Sequence, residues 1–377
     1  MRASLDDPAL VRQAGRFVWL ELDYDRPANQ PFIGRRHVAY TPSLYVLDPA
    51  TERATATHLG GMTLPELERF LDQGERGFRS EALPPADAAL ARGDEALGHG
   101  EFAKASAHYR EALALAPRGW PERLHAVGSL TWSLWVAGSV RACAETAAVE
   151  APRMRRDARF ASVVLAGFAS SLQGGDSSWA RSAQKILEPL GDEAIAMPAA
   201  LRDHRFQLYQ QLIMAAQSRG DTTRALQLSH RWLDEIDAIP PGDDNERSAL
   251  DIARVDALVD SSELPRVLAA LQASEHAMPS NYNASLRRAQ VEQIAGHYDQ
   301  AIAACDRGLA HVTGPLGRSW LQRTRAEAMI AAGDSAGART CLEQALESAR
   351  AIGNPDNRDH NVARIRRELA ALGSKQP

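Results

Sequence analysis

The three cysteines carry the most reactive side chains in this 377-residue chain, and their spacing limits what they can do. Thiol–disulfide exchange needs an accessible thiolate, commonly at a helix start, and a second thiol close by to resolve the mixed disulfide. Cys143, Cys305 and Cys341 lie far apart in sequence and form no C-x-x-C. Each falls in a strongly helical stretch, where a thiol serves as a small packing group. The 11 histidines are scattered without an H-E-x-x-H pair, and the acidic group GDDNE at 242–246 reads as a solvated loop and helix cap. Neither a G-x-x-x-x-G-K-[ST] phosphate loop nor a G-x-S-x-G nucleophile turn occurs. No residue is therefore assigned a catalytic or metal-binding role, and no cofactor is implied. The sequon at Asn283-Ala284-Ser285 has weight only in a glycosylating compartment.

Composition narrows the function classes further. The net charge is −5 with Lys and Arg dispersed, which disfavours nucleic acid; the densest basic run, PRMRR at 152–156, reads as a solvated helix start. No apolar run reaches the roughly 18–20 residues that span a bilayer. MRASLDDPALVRQAG at the start has no apolar run of signal-peptide type, so the chain as written is expected in the cytoplasm. An apolar content of 45% can build a sizeable interior, and the length suggests two or more domains.

Two patterns follow one another. In 1–78, FVWLELD (17–23) and SLYVLD (43–48) read as strands, the second largely buried, and RATATHL (53–59) as an edge strand. GGMTLPELERFLDQG (60–74) reads as a helix with Thr63 as N-cap, Pro65 and Glu66 in the first turn and Gly74 as its stop. From residue 84 to 352 the chain reads as helices alone. Turn-like glycines stand at Gly100, Gly138, Gly175, Gly220, Gly296 and Gly333, with one hairpin near residue 258 lacking its glycine. A spacing near 37 residues marks an array of about seven helical hairpins. NPDNRDHNVARIRRELAALGSKQP (354–377) supplies a polar turn, a capping helix and a tail, so 353–377 closes the array. The array reads either as one continuous superhelix or as two stacked blocks broken near EPLGDEAIAMPAALRD (188–203), and the sequence leaves both open.

The stretch ADAALARGDEALGHGEFAKASAHYREALALAP (86–117) resembles a tetratricopeptide repeat, with Gly93, Ala105, Tyr109, Ala112 and Pro117 at that family's small, aromatic and Pro positions. Small residues let two helices approach, the aromatic fills the gap to the next hairpin, and Pro ends the second helix. The resemblance implies a protein or peptide partner on the concave face. Leu90 and Asp94 stand where some relatives carry a Lys and Asn carboxylate clamp, a departure that argues against that mode. Trp132 and Trp135 read as packing between hairpins.

HVAYTPSLYVLDP (37–49), followed by RATATHL and the helix at 60–74, resembles the closing β-β-α unit of thioredoxin-like proteins. LDDPALVRQAGRFVWLELDYDRP (5–27) resembles the stretch that follows the active-site helix of that family. By this resemblance Thr41 and Pro42 are peptide-contact residues, and the cysteine pair is expected upstream of Met1. The fold class expected is thus an α+β partial thioredoxin-like domain at 1–78, followed by an all-α, tetratricopeptide-like solenoid. Removing a central strand leaves backbone donors and acceptors facing a gap.

The first reading is a non-catalytic protein-interaction scaffold. The alternative is a truncated thiol–disulfide oxidoreductase, periplasmic if a signal peptide lies upstream; a third is a helical regulator that lost redox function. Limited proteolysis is expected to cut within 1–78 before the helical array, and equal resistance of the two parts would refute the incomplete-sheet reading.

Overall fold

A glycine can turn a chain between two helices because it alone enters the left-handed region at little cost. The computed structural model describes residues 7–22, 26–36, 42–60, 62, 64–79, 83–157, 159–198, 200–240 and 242–373. In it φ is +72° at Gly100, +69° at Gly138, +53° at Gly175, +71° at Gly220, +79° at Gly296 and +91° at Gly333. Each of these turns joins two helices. The pairs are α3 (Pro85–Gly98) with α4 (Phe102–Leu115), α5 (Arg123–Val136) with α6 (Val140–Glu150), and α7 (Phe160–Gln173) with α8 (Ser178–Ile195). The next are α9 (Arg202–Ser218) with α10 (Thr222–Asp237), α13 (Tyr282–Ile294) with α14 (Tyr298–His311), and α15 (Pro315–Ala331) with α16 (Ser335–Arg350).

Without its glycine the seventh pair, α11 (Asp244–Ala257) and α12 (Leu264–Ala277), turns through a 3-10 segment at Ser261–Glu263, capped by Asp260 on the Ser262 N–H. A final helix, α17 (Pro355–Gly373), packs on α16 through Ile365 and Leu372. Among the described residues the protein is mostly helical, built of paired helices, with a small two-stranded sheet in its N-terminal part.

The chain divides into two units, 1–215 and 216–377, and the division falls within α9. The described N-terminal residues lie in the same unit as α3 to α8, and α17 shares the core of α15 and α16.

In the first unit the helices meet through small residues. Ala105, Tyr109 and Ala112 are wholly buried on α4, and a Cβ on Gly93 would lie 2.5 Å from Tyr109 Cε1. Pro117 lies just past α4, exposed, with its carbonyl accepting from Trp120 N–H at 3.1 Å. Trp132 and Trp135 meet edge to face at 5.2 Å, half-buried against the same core. In the second unit Leu286, Val312 and Leu321 form one core cluster, and Ala326, Ala338, Leu342 and Ile365 form another.

The N-terminal part contains a short helix α1 (Gln30–Arg36), strands β1 (Ser43–Leu47) and β2 (Ala54–Leu59), and helix α2 (Leu64–Phe78). The strands pair antiparallel from Ser43 opposite Leu59 to Leu47 opposite Ala54, with a bulge after Val46. β1 is half-buried, with Val46 its buried residue. Gly74, read as a helix stop, instead lies buried inside α2, because Val46 fills the space a Cβ would take, 2.6 Å away. Gly77 likewise admits the Thr55 carbonyl. The N-cap Thr63 and the contact residue Thr41 lie outside the described residues. Pro42 is exposed and its carbonyl accepts from Gly60 N–H at 2.8 Å, closing the hairpin.

The strand expected at 17–23 is a correction. Its described part, 17–22, is in no sheet, and Val18, Trp19, Leu20 and Leu22 are exposed. A strand needs a neighbour to take its backbone hydrogen bonds, and the sheet among the described residues consists of β1 and β2 alone. The thioredoxin-like sheet is therefore not formed by these residues.

Two glycine substitutions separate packing from backbone conformation. Gly93→Ala is expected to cost about 2–3 kcal/mol by overpacking Tyr109, and Gly100→Ala about 1 kcal/mol through its left-handed φ alone. Denaturant titration of both variants checks the ranking.

Candidate functional site

A buried carboxylate must find donors, and Asp94 on α3 has two. Its Oδ1 accepts the Tyr109 hydroxyl at 2.8 Å, and Nε2 of His125 stands 3.1 Å from the same oxygen, placed to donate. Asp94 is 3% exposed and His125 8%, so this triad from α3, α4 and α5 is out of water. Burial, with the charge and hydrogen bond of Asp94, pushes the Tyr109 hydroxyl well above its ordinary pKa and keeps it a donor. The other ring nitrogen of His125 lies 3.9 Å from Glu122.

β2 and α2 lie over this triad. Thr57 fills the space beside Gly98, where a Cβ would lie 2.5 Å from its methyl. The His58 ring meets the His125 ring at 6.1 Å and the Phe70 ring at 6.3 Å, both edge to face. Glu66 of α2 pairs with Arg159, the residue before α7, at 3.0 Å, both largely buried. The hairpin and α2 thus touch α3, α5 and the start of α7 together. Burial, reinforced by His125 and Arg159 and opposed by Asp94 and Glu66, lowers the His58 pKa to about 4. His204 on α9, near Glu66, is lowered by burial too, and its Nδ1 has no hydrogen-bond partner among the described residues. The space left among these groups is about 10 Å³, room for at most one water.

Beside this junction opens a cleft of about 390 Å³ lined by Arg69, Asp72, Glu75, Arg76 and Arg79 of α2 and its end, and by Glu122. Arg16 bridges Asp72 at 2.7 Å and also binds Glu75, and Arg79 binds Glu75 as well. Asp72 and Glu75 are thus paired, while Arg69 and Arg76, seven positions apart on one helix face, are exposed and Glu122 faces the same cleft.

The thiols read as packing groups are buried, all three. Burial pushes Cys143 up to about 11 and Cys305 up to about 12; Cys143 donates to the Thr131 carbonyl at 3.3 Å. Cys341 receives the Arg325 guanidinium at 2.7 Å. Leu90 and Asp94 are enclosed, so neither presents itself to a peptide. His58, Glu66, His125 and Arg159 carry no mark in the sequence. Each is an isolated polar residue whose partner lies in another element.

No protein-family model matches the chain, and no curated protein does. Solved helical-repeat structures do. A tetratricopeptide repeat protein from Parabacteroides merdae is 11% identical, over 75% of this chain and 99% of that one, with a TM-score of 0.44. The TPR2AB-domain:pHSP90-complex of yeast Sti1 is 14% identical over 76% and 98%, with a TM-score of 0.30. A thermophilic TPR protein of Thermus thermophilus is 16% identical over 74% and 97%, with a TM-score of 0.25.

Tyr109→Phe removes one donor from a buried carboxylate and is expected to cost about 1–3 kcal/mol. Denaturant unfolding measures it; a cost near zero would mean that His125 alone satisfies Asp94.

Proposed function

We propose that this protein is an interaction scaffold that binds a protein or peptide partner through the open cleft between α2 and the start of α5. The observation that carries the reading is the charge state of that cleft. Asp72 and Glu75 are matched by Arg16 and Arg79, and Arg69 and Arg76 stand exposed on the same face, in excess over the remaining lining acid, Glu122. Arginine pairs bind carboxylates through a planar fork, so the partner segment is acidic. Helical repeats suit this role because each hairpin contacts only its neighbours and leaves a long surface exposed.

The thiol–disulfide alternative finds no support in the site chemistry. Exchange requires a thiol with a lowered pKa and access to water, whereas Cys143 and Cys305 are raised and enclosed. Among the described residues no helix is long and apolar enough to cross a membrane.

A photo-crosslinking residue placed at Gln73 is expected to capture one recurring partner from the source cells through an acidic segment identified by mass spectrometry. The charge reversals Arg69→Glu and Arg76→Glu together should reduce capture at least tenfold, and so should 0.5 M salt. Capture that is unchanged by both, or that maps to apolar segments, would overturn the reading.

A further inference from the structure

The segment that leads away from the cleft carries apolar groups in water at regular spacing. Arg16, which binds the cleft acids Asp72 and Glu75, is followed by Phe17, half-buried against the core shared by β1, β2 and α2. The Arg16 guanidinium also lies over the Phe17 ring, 5.3 Å from its centre. This end of the segment is therefore pinned at the cleft. Beyond it Val18 and Leu20 are 89% and 80% exposed, whereas Trp19, 47% exposed, meets the Phe17 ring edge to face at 6.4 Å. Leu22 is exposed as well, so apolar groups recur at 18, 20 and 22. A period of two places all three on one face of an extended chain. Among the described residues 17–22 belongs to no sheet, and this face meets water where a packed strand meets side chains.

We propose that 17–22 is a strand-accepting edge, and that the partner segment in the cleft continues as a run of alternating apolar residues that pairs with it. This inference rests on the acidic-partner reading of the cleft and adds to it the sequence the partner must have: carboxylates for Arg69 and Arg76, flanked by β-branched or aromatic residues at every second position. In this mode main-chain hydrogen bonds supply affinity, and the groups at 18, 20 and 22 select the side chains on the matching face.

Charge decides between occupants. A second copy of this chain, paired through its own 17–22 about a two-fold axis, brings two clefts with the same excess of arginine to one junction. An acidic strand meets that excess with opposite charge. Because Arg16 and Phe17 hold the start of the edge beside the cleft, one short peptide reaches both, and the second contact becomes intramolecular.

Synthetic peptides test this on the full chain by fluorescence anisotropy: an acidic Glu-Asp repeat, a Thr-Val repeat, and the two joined through Gly-Ser. The joined peptide is expected to bind about tenfold or more tighter than the acidic one. Leu20→Pro, which removes a backbone donor from a segment that lies in no sheet among the described residues, should return the joined peptide to the affinity of the acidic one. Of two joined peptides N-methylated along one edge or the other, only one should keep the gain, since a strand pairs through a single edge. Amide exchange within 17–22 should slow about tenfold or more with the joined peptide and not with the acidic one. A joined peptide that binds no tighter than the acidic one, or a gain that survives Leu20→Pro, refutes strand addition and leaves the cleft reading standing. An acidic peptide that fails to bind, or that binds the Arg69→Glu, Arg76→Glu chain equally well, refutes the cleft reading and this inference with it. A dimer of the unliganded chain in sedimentation that Leu20→Pro dissociates assigns the edge to a second copy, and that too overturns the proposal.

Discussion

The carboxylate of Asp94 cannot be buried alone, and the first unit is arranged around that constraint. One donor is a tyrosine hydroxyl from the partner helix of its own hairpin, and the other is an imidazole from the next hairpin. The first requires α3 and α4 to approach closely, which Gly93 permits by leaving room for the Tyr109 ring. The second fixes α5 against α3. A hydrogen-bond requirement at one atom thus sets the spacing of three helices, while the surrounding Ala86, Ala89, Ala105 and Ala112 supply close, dispersion-rich packing.

The second unit solves a similar problem with different residues. Burial would raise Glu275, yet Arg307, Arg288 and Ser285 hold it below its ordinary range. These partners come from α13 and α14, so a single acid on α12 ties three helices. Asp251 on α11 receives Ser274 and Arg254, and burial still raises it. In both units the buried acid sits where hairpins meet, and breaking one partner leaves an expensive charge behind. Such ties specify which helix lies beside which, a task that apolar packing among many alanines does less selectively.

The N-terminal hairpin belongs to this economy of contacts rather than to a sheet of its own. Two strands alone are marginal, and β1 and β2 persist by packing on α2 and on the array. That packing places an imidazole pair and a carboxylate–guanidinium pair where the hairpin meets three helices. The exposed apolar residues Val18, Trp19, Leu20 and Leu22 lie outside this arrangement, since among the described residues no strand flanks them.

Much of the array was legible in the sequence. The glycines at 100, 138, 175, 220, 296 and 333 mark turns because a positive φ is a local demand that few other residues meet. The hairpin that lost its glycine near 258 could be placed by the interval alone. The strands 43–47 and 54–59 followed from alternation and from the Asp48-Pro49 turn. Local reading failed where a local signal had a distant cause: Gly74 has the look of a helix stop but is a seat for Val46, and 17–22 has strand composition without a strand beside it among the described residues. The sequence by itself determined that helices pair, where they turn, and that thiols in helices are packing groups. Only the tertiary structure decided that Asp94 would be held by Tyr109 and His125, that His58 would lie on His125, and that Glu66 would find Arg159. Those pairings join elements far apart along the chain, and nothing in the periodicity of one element names its partner in another.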